Sequence, residues 1–315
     1  MQRYSNWAIV SDYDGTLTTG IGNSISEQNI FAIKRFVYEG GKFCIATGRA
    51  GFEIDGLMGN SVVFNLPCAF YDGSLIFDYV SQKAIYQKPL PMGYKELLAV
   101  LIEEFKDVQM FVGNADRLSL VNAPGYSYEA ARDAVICSKG KVSDENEILD
   151  FINRVSILRP WDVIEPLEKA DEIAYKLLFC SSNARISDLE ARIAELDINN
   201  EYKVVKPFSF NLEVVSRGGG KETALKWIRD NCFCGNVLAI GDGHNDAEMF
   251  EVADYSLATE LAHPDAKKAA TLIGGSCETI VSQALEVIDG LSARRCSKGE
   301  SMVNEQPRLG KIQSR

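Results

Sequence analysis

The stretch Trp7-Ala8-Ile9-Val10-Ser11-Asp12-Tyr13-Asp14-Gly15-Thr16 passes from a nearly all-apolar run into two carboxylates and a glycine. A run without polar alternation suits a strand covered on both faces, as at the centre of a parallel sheet. Working outward, Ser26 stands where it would cap a helix whose Ile30, Ile33, Phe36 and Val37 share one face, and Gly40-Gly41 ends that helix. Lys42–Thr47 (KFCIAT) is a second buried strand, and residues 61–72 hold further strand pieces broken by Pro67. Strand, helix and strand within about 40 residues form a βαβ unit, which predicts a parallel sheet with right-handed crossovers.

The same grain returns near the other end. Lys221–Asn231 is expected as a helix, Asn236–Asp242 (NVLAIGD) as a buried strand and Asp246 as the start of a helix. Asp254–Thr259 reads as a short strand and residues 278–289 as an amphipathic helix. Between them, short alternating strands (QMFVGN, LSLVN, AYKLLFC, YKVVKPF) mix with the helices YKELLAVLIEEFK and ARISDLEARIAEL. The expected fold class is α/β: a Rossmann-like parallel-sheet core over 1–84 and 206–290, with an α+β unit inserted over 85–205. Residues 291–315 are polar, basic and aperiodic, and read as a disordered tail.

At 315 residues, a prior of roughly 150 residues per domain gives about two domains. The chain is 46% hydrophobic and 24% charged, which excludes wholesale disorder or a fibrous repeat. No window approaches the ~18 apolar residues of a membrane span. Acidic residues arrive by position 12, before a signal-peptide core could form, so a soluble cytoplasmic protein is expected. Of the net charge of −11, the tail holds a local +4, which leaves −15 on residues 1–290. So acidic a body repels nucleic-acid phosphates and anionic lipid, excluding a general nucleic-acid or membrane-surface binder. Any phosphate chemistry must bring its own positive charge. Among the eight cysteines, Cys44 and Cys180 lie in apolar runs and are expected as buried thiols. Cys232 and Cys234 lack a second pair at zinc spacing.

Four segments sit where strands hand over to turns, and in open α/β sheets such strand ends converge on ligands. Asp12 and Asp14, two residues apart, point to the same side. Carboxylates so close resist joint ionisation unless a cation lies between them. That suggests a Mg²⁺ site or one protonated acid beside one ionised, an Asx-turn with Gly15 at positive φ being the plainer reading. Thr47-Gly48-Arg49 offers a hydroxyl and backbone N–H groups as a small anion cradle. Gly218-Gly219-Gly220-Lys221 is a hinge, an ammonium for a phosphate, or both; its spacing is not that of a Walker A loop. Gly241-Asp242-Gly243-His244-Asn245-Asp246 adds two carboxylates suited to a hard oxygen-ligand cation such as Mg²⁺. His244 reads as a surface turn residue, and His263, before Pro264, as the start of a helix.

In order and in strand context, DYDGTLT, ATGR, the Lys of GGGKETAL and GDGHNDAEMF resemble the four motifs of the haloacid dehalogenase (HAD) superfamily of Asp-nucleophile phosphotransferases. The long insertion between Thr47 and Lys221 is similar in placement to C2-type caps. With the GDGxND form of the last motif, it resembles the Cof-type branch, subfamily IIB. The resemblance implies a Mg²⁺-dependent phosphatase for a small phosphorylated metabolite, a sugar phosphate first of all. It makes Asp12 the nucleophile that forms an aspartyl-phosphate, and Asp14 the acid and then the base. Mg²⁺ would be held by the Asp12 carboxylate, the Asp14 backbone carbonyl and Asp242, with Asp246 a direct ligand or an anchor behind. Thr47, the Gly48 amide, Lys221 and Asn245 would bind the phosphoryl oxygens. Alternatives are a phosphomutase or a disaccharide-phosphate phosphatase of the same superfamily, or a non-catalytic phosphate-ligand-binding regulatory protein. Cof-like members often carry Asn-Gly-Ala after the third strand. Here Tyr71-Asp72-Gly73-Ser74 stands instead, and Asp72 is expected to repel a second anionic group on a substrate. Phe111, Tyr126 and Phe208 are read as core packing ahead of ring stacking on a substrate.

Overall fold

The opening apolar run is β1 (Trp7–Ser11), buried at every position in the computed structural model. The structure describes residues 2–18, 24–58, 62, 64–121, 164–165, 167–181, 183–206 and 211–298. After β1, α1 (Glu27–Tyr38) begins with Ser26 Oγ accepting from the Asn29 N–H at 3.1 Å. It buries Ile33 and Phe36, with Ile30 and Val37 packed against the same core. Gly40, at φ +97°, turns the chain into β2 (Lys42–Ile45). Next come α2 (Gly51–Met58) and a meander of β3 (Cys68–Phe70), β4 (Leu75–Asp78) and β5 (Lys83–Gln87). The inserted stretch supplies α3 (Tyr94–Glu104), β6 (Gln109–Gly113), β7 (Leu118–Val121), β8 (Ile164–Glu165), β9 (Lys176–Cys180), α4 (Asn183–Leu196), β10 (Tyr202–Val205) and β11 (Asn211–Ser216). The chain closes with α5 (Lys221–Asn231), β12 (Asn236–Gly241), α6 (Asp246–Val252), β13 (Tyr255–Ala258), α7 (Pro264–Ala269), β14 (Leu272–Ile273) and α8 (Ile280–Lys298).

The core sheet runs β14-β13-β12-β1-β2 with every pairing parallel. A parallel bridge from Ala46 to Ala69 joins its edge to β3. The inserted sheet runs β10-β11-β9-β6-β7-β8, antiparallel but for β7 with β8. One of its faces buries Leu177, Phe179, Leu212 and Val214 beneath Leu98 and Leu101 of α3 and Leu189 and Ile193 of α4. Phe111 packs with Leu120 and Leu178 on the other face, as core. Tyr126 and Phe208 lie outside the described residues. No helix among the described residues is long and apolar enough to cross a membrane.

Three expected boundaries differ. β5 pairs with β4 in the meander, so the first part of the core runs to Gln87 rather than 84. β11 belongs to the inserted sheet, between β10 and β9, so that sheet extends to Ser216 rather than 205. NLEVVS is buried at every position, and a doubly covered strand carries no local sign of which sheet will take it. The last helix continues to Lys298, through residues 291–298 that were assigned to the tail. Its Ala293, Arg294 and Lys298 are good helix formers even without an apolar stripe. Residues 299–315 lie outside the described residues.

Candidate active site

The carboxyl ends of β1, β2 and β12 lie side by side, and the turns leaving them build the site. Asp12 directly follows β1, its N–H donating to the Ile240 carbonyl of β12 at 2.8 Å. Lys221, the first residue of α5, is 2% exposed and sends its Nζ between Asp12 Oδ1 at 2.9 Å and Asp246 Oδ1 at 2.8 Å. Burial works against an ammonium there, yet Asp12 and Asp246 hold it charged well above its ordinary range.

Asp246 is fully buried, and its second oxygen accepts from the Asp242 and Gly243 N–H groups at 2.9 and 2.8 Å. Both oxygens therefore anchor the turn and the lysine. Asp242 turns to the Asp12 loop instead, where Thr16 Oγ1 donates to its Oδ1 at 2.5 Å. Gly15 is required beside it. At φ +71°, a Cβ there would sit 2.3 Å from Asp242 Oδ2.

Oxygens of Asp12, Asp242 and Asp246 lie within 4.8 Å of one another. Three carboxylates against one ammonium leave a formal charge of −2 in a buried site. Burial and the neighbouring carboxylates push the Asp12 carboxyl well up, and push Asp242 up to about 7. Such a donor set is short of positive charge and all oxygen, which fits a divalent hard cation. Asp12 and Asp242 would be its carboxylate ligands, because the Asp246 oxygens are already committed.

Thr47 and Gly48 follow β2. The Thr47 carbonyl accepts from the Asp72 N–H at 3.0 Å, so the Gly48 N–H of the same trans peptide points the opposite way. Thr47 Oγ1 accepts from the Arg49 N–H at 3.2 Å. Asp14 turns from Asp12 and takes a bidentate pair from Arg49, Nε to Oδ2 at 2.5 Å and Nη2 to Oδ1 at 2.8 Å. Asn245 is also engaged, its Nδ2 donating to Asp72 Oδ1 at 2.9 Å.

Asp12, Lys221, Asp242 and Asp246 thus meet directly, and Asp14, Thr47, Gly48 and Asn245 lie on the adjoining turns. Asp14 and Asn245 face partners that local sequence does not reveal. Arg49 was visible in the TGR triplet, and its proximity to Asp14 follows from the adjacency of β1 and β2. Thr16 was within the quoted motif, but nothing in the sequence aimed it at Asp242.

Asp72 was expected to project charge at a substrate. It is instead 1% exposed, and burial is outweighed by Lys176 and Lys221, which hold its carboxyl below the usual range. His263 caps α7, its Nδ1 accepting from the Asp265 N–H at 3.2 Å. His244 Nδ1 lies 2.9 Å from Asp265 Oδ2, and both histidines are exposed.

Comparison with known proteins is consistent with this geometry. The family model of haloacid dehalogenase-like hydrolases matches residues 9–281. An uncharacterized hydrolase of Schizosaccharomyces pombe is 26% identical over 293 residues, 89% of this chain and 90% of that protein. The 5-amino-6-(5-phospho-D-ribitylamino)uracil phosphatase YwtE of Bacillus subtilis is 26% identical over 274 residues, 84% of this chain and 91% of that protein. Among solved structures, the HAD subclass IIB sugar phosphatase BT4131 superposes with a TM-score of 0.64 at 19% identity, over 93% of this chain and 98% of that one.

Proposed function

Because the chain belongs to the haloacid dehalogenase-like hydrolase family, we propose that it is a Mg²⁺-dependent phosphatase for a small phosphorylated metabolite, with a polyhydroxylated, sugar-like leaving group. The observation that carries this reading is the buried Lys221 ammonium, clamped between Asp12 and Asp246 at the carboxyl end of the sheet. It supplies the local positive charge that an acidic surface denies to an incoming phosphate. The activities named for the B. subtilis phosphatase and the subclass IIB sugar phosphatase support the choice of substrate class.

In this mechanism the Asp12 carboxylate attacks phosphorus while the bond to the leaving oxygen breaks, giving an aspartyl-phosphate and an alcohol. Lys221 stays beside Asp12 and opposes the burial that favours its protonation, its ionisation for attack being completed with Mg²⁺ bound. Asp14, once turned away from Arg49, protonates the leaving oxygen. It then takes a proton from the water that attacks the intermediate, and orthophosphate leaves as Asp12 is restored. The Gly48 amide and the Thr47 hydroxyl hold the phosphoryl oxygens. Mg²⁺, held by Asp12, the Asp14 carbonyl and Asp242, would neutralise charge on those oxygens. The inserted sheet acts as a cap that excludes water and meets the leaving group.

The test is a panel of phosphate esters assayed with Mg²⁺ and again with excess EDTA, on wild type and Asp12→Ala. Turnover of sugar phosphates is expected with Mg²⁺ alone. It should fall at least about a thousandfold in Asp12→Ala, the scale of losing a covalent nucleophile. Turnover that survives EDTA or Asp12→Ala unchanged would overturn the site assignment.

A further inference from the structure

The inserted sheet places two charged side chains where they are not expected. On β9 and β11, Leu178 pairs with Glu213 and Lys176 with Val215, so Lys176 and Glu213 lie on one face, two residues apart in register. The opposite face carries that sheet's own helix-covered core. A sheet face without helices ordinarily meets water. Yet Lys176 is 5% exposed and Glu213 is 7% exposed. What covers them is the strip of the core that holds Gly48, Tyr71 and Asp72.

The contacts are specific. Lys176 Nζ donates to the Gly48 carbonyl at 2.5 Å, pairs with Glu213 Oε2 at 2.9 Å and sits 5.6 Å above the Tyr71 ring. The two carbonyls flanking Gly48 are satisfied within the core, Thr47 by the Asp72 N–H and Arg49 by the Tyr71 N–H, both at 3.0 Å. The Gly48 carbonyl between them points to the other side and meets the lysine of the inserted sheet.

Fixing that carbonyl fixes a peptide plane whose other end is the Arg49 N–H, bonded to Thr47 Oγ1. The plane before it is fixed by Asp72. One plane of the anion-binding turn is therefore set by the core, and the next by the insertion.

The core side of this contact is itself constrained. Tyr71, Asp72 and Gly73 run at φ +50°, +52° and +89°, a left-handed succession that the side chains of Tyr71 and Asp72 resist. It is held by Tyr71 Oη donating to the Asn114 carbonyl of the insertion at 2.7 Å and by stacking of Tyr71 on Tyr175. Charge within the cluster also closes. Burial and Asp72 raise the Glu213 carboxyl to about 8, which favours its protonated form. Asp72 and Lys176 are left as the ionised pair of this cluster.

We propose that Lys176 is a positioning residue for the anion cradle: from the inserted sheet it orients the Gly48 peptide, so that docking of the sheet completes the phosphate-binding turn. This rests on the phosphatase reading above and names the group that couples the cap to that site.

The experiment uses full-length protein with Mg²⁺, p-nitrophenyl phosphate as substrate and inorganic phosphate as competing ligand. Lys176→Met, which keeps length and loses the donor, is expected to raise the inhibition constant of inorganic phosphate and lower kcat/KM by roughly ten- to a hundredfold, the cost of a displaced binding group. Lys176→Arg should recover most of both. Unaltered phosphate inhibition in a folded Lys176→Met protein would overturn the proposal, even if its melting temperature fell, since that is a clasp and no more.

Should Lys176→Met not fold, hydrogen exchange on wild type decides. Because coupling is reciprocal, inorganic phosphate with Mg²⁺ should slow exchange in residues 176–180 and 211–216 as well as in 46–50. Protection confined to 46–50 would overturn it. Wild type that neither binds phosphate nor hydrolyses the ester refutes the phosphatase reading instead, so the two failures are distinct.

Discussion

Replacing Asp246 by Asn removes one oxygen from a buried carboxylate whose two oxygens serve three donors. Lys221 Nζ approaches at 2.8 Å, the Asp242 N–H at 2.9 Å and the Gly243 N–H at 2.8 Å. The amide can turn either way. With its NH₂ toward the turn, two backbone donors lose their acceptor. With its NH₂ toward Lys221, one donor faces another and a charge-assisted bond is lost. The second arrangement costs less, because Asp12 still accepts from Lys221. The loss should then sit near the lower end of the 3–5 kcal/mol typical of a broken buried ion pair, about 3 kcal/mol. Urea unfolding in Mg²⁺-free buffer, followed by both fluorescence and circular dichroism, measures it. The same substitution removes a charge that raises the Asp12 and Asp242 carboxyls, so both should ionise more readily. A destabilisation below about 1 kcal/mol would refute the reasoning, since it would mean that Asp246 does not hold three donors at once.

Two further outcomes follow from the same geometry. Gly15→Ala should displace Asp242, because the new Cβ would lie 2.3 Å from Oδ2 on a backbone at φ +71°. The apparent Mg²⁺ affinity in turnover assays is expected to fall at least about tenfold, and unchanged Mg²⁺ dependence would contradict this. Glu213, raised from 4.5 to about 8 in the fold, keeps a proton between those values that the unfolded chain has released. Its contribution to stability is full below about 4.5 and is lost as pH rises through about 8. Asp242, raised to about 7, gives a slope of the same sign, so the informative quantity is the difference between wild type and Glu213→Gln. The two stability profiles should diverge across pH 5–8; parallel profiles would show that Glu213 is ionised in the fold.

What the sequence made legible was local. WAIVS followed by DYDG announced a buried strand with carboxylates at its end, and β1 with Asp12 is that element. Ser26 and the Ile33 and Phe36 face of α1 could be read because a helix cap and its stripe lie within one segment. Site partners that depend on two distant elements were not readable. Lys176 and Glu213 look like the solvent-facing members of two short strands, and only the docked core buries them. By sequence Asn245 is free to meet a phosphate, but Asp72, from a different turn, accepts from its Nδ2 at 2.9 Å. β11 was placed in the core for the same reason. Its fully buried strand fits either sheet, and its choice of partners is made by tertiary pairing rather than by composition.

The pairing of β1 with β12 sets the order in which the molecule can assemble. Trp7–Ser11 aligns in register with Asn236–Ile240, so β1 leaves the ribosome about 230 residues ahead of its central neighbour. At 5–20 residues per second, that wait is roughly 10–45 s. The inserted sheet draws all its strands from 109–216 and can form in the interval, whereas β1 must be kept from other edges. Asp12 therefore meets Lys221 and Asp242 only after the whole insertion has been made. A chain ending before residue 236 would carry every strand of the inserted sheet and the motifs through Lys221, yet have no active site.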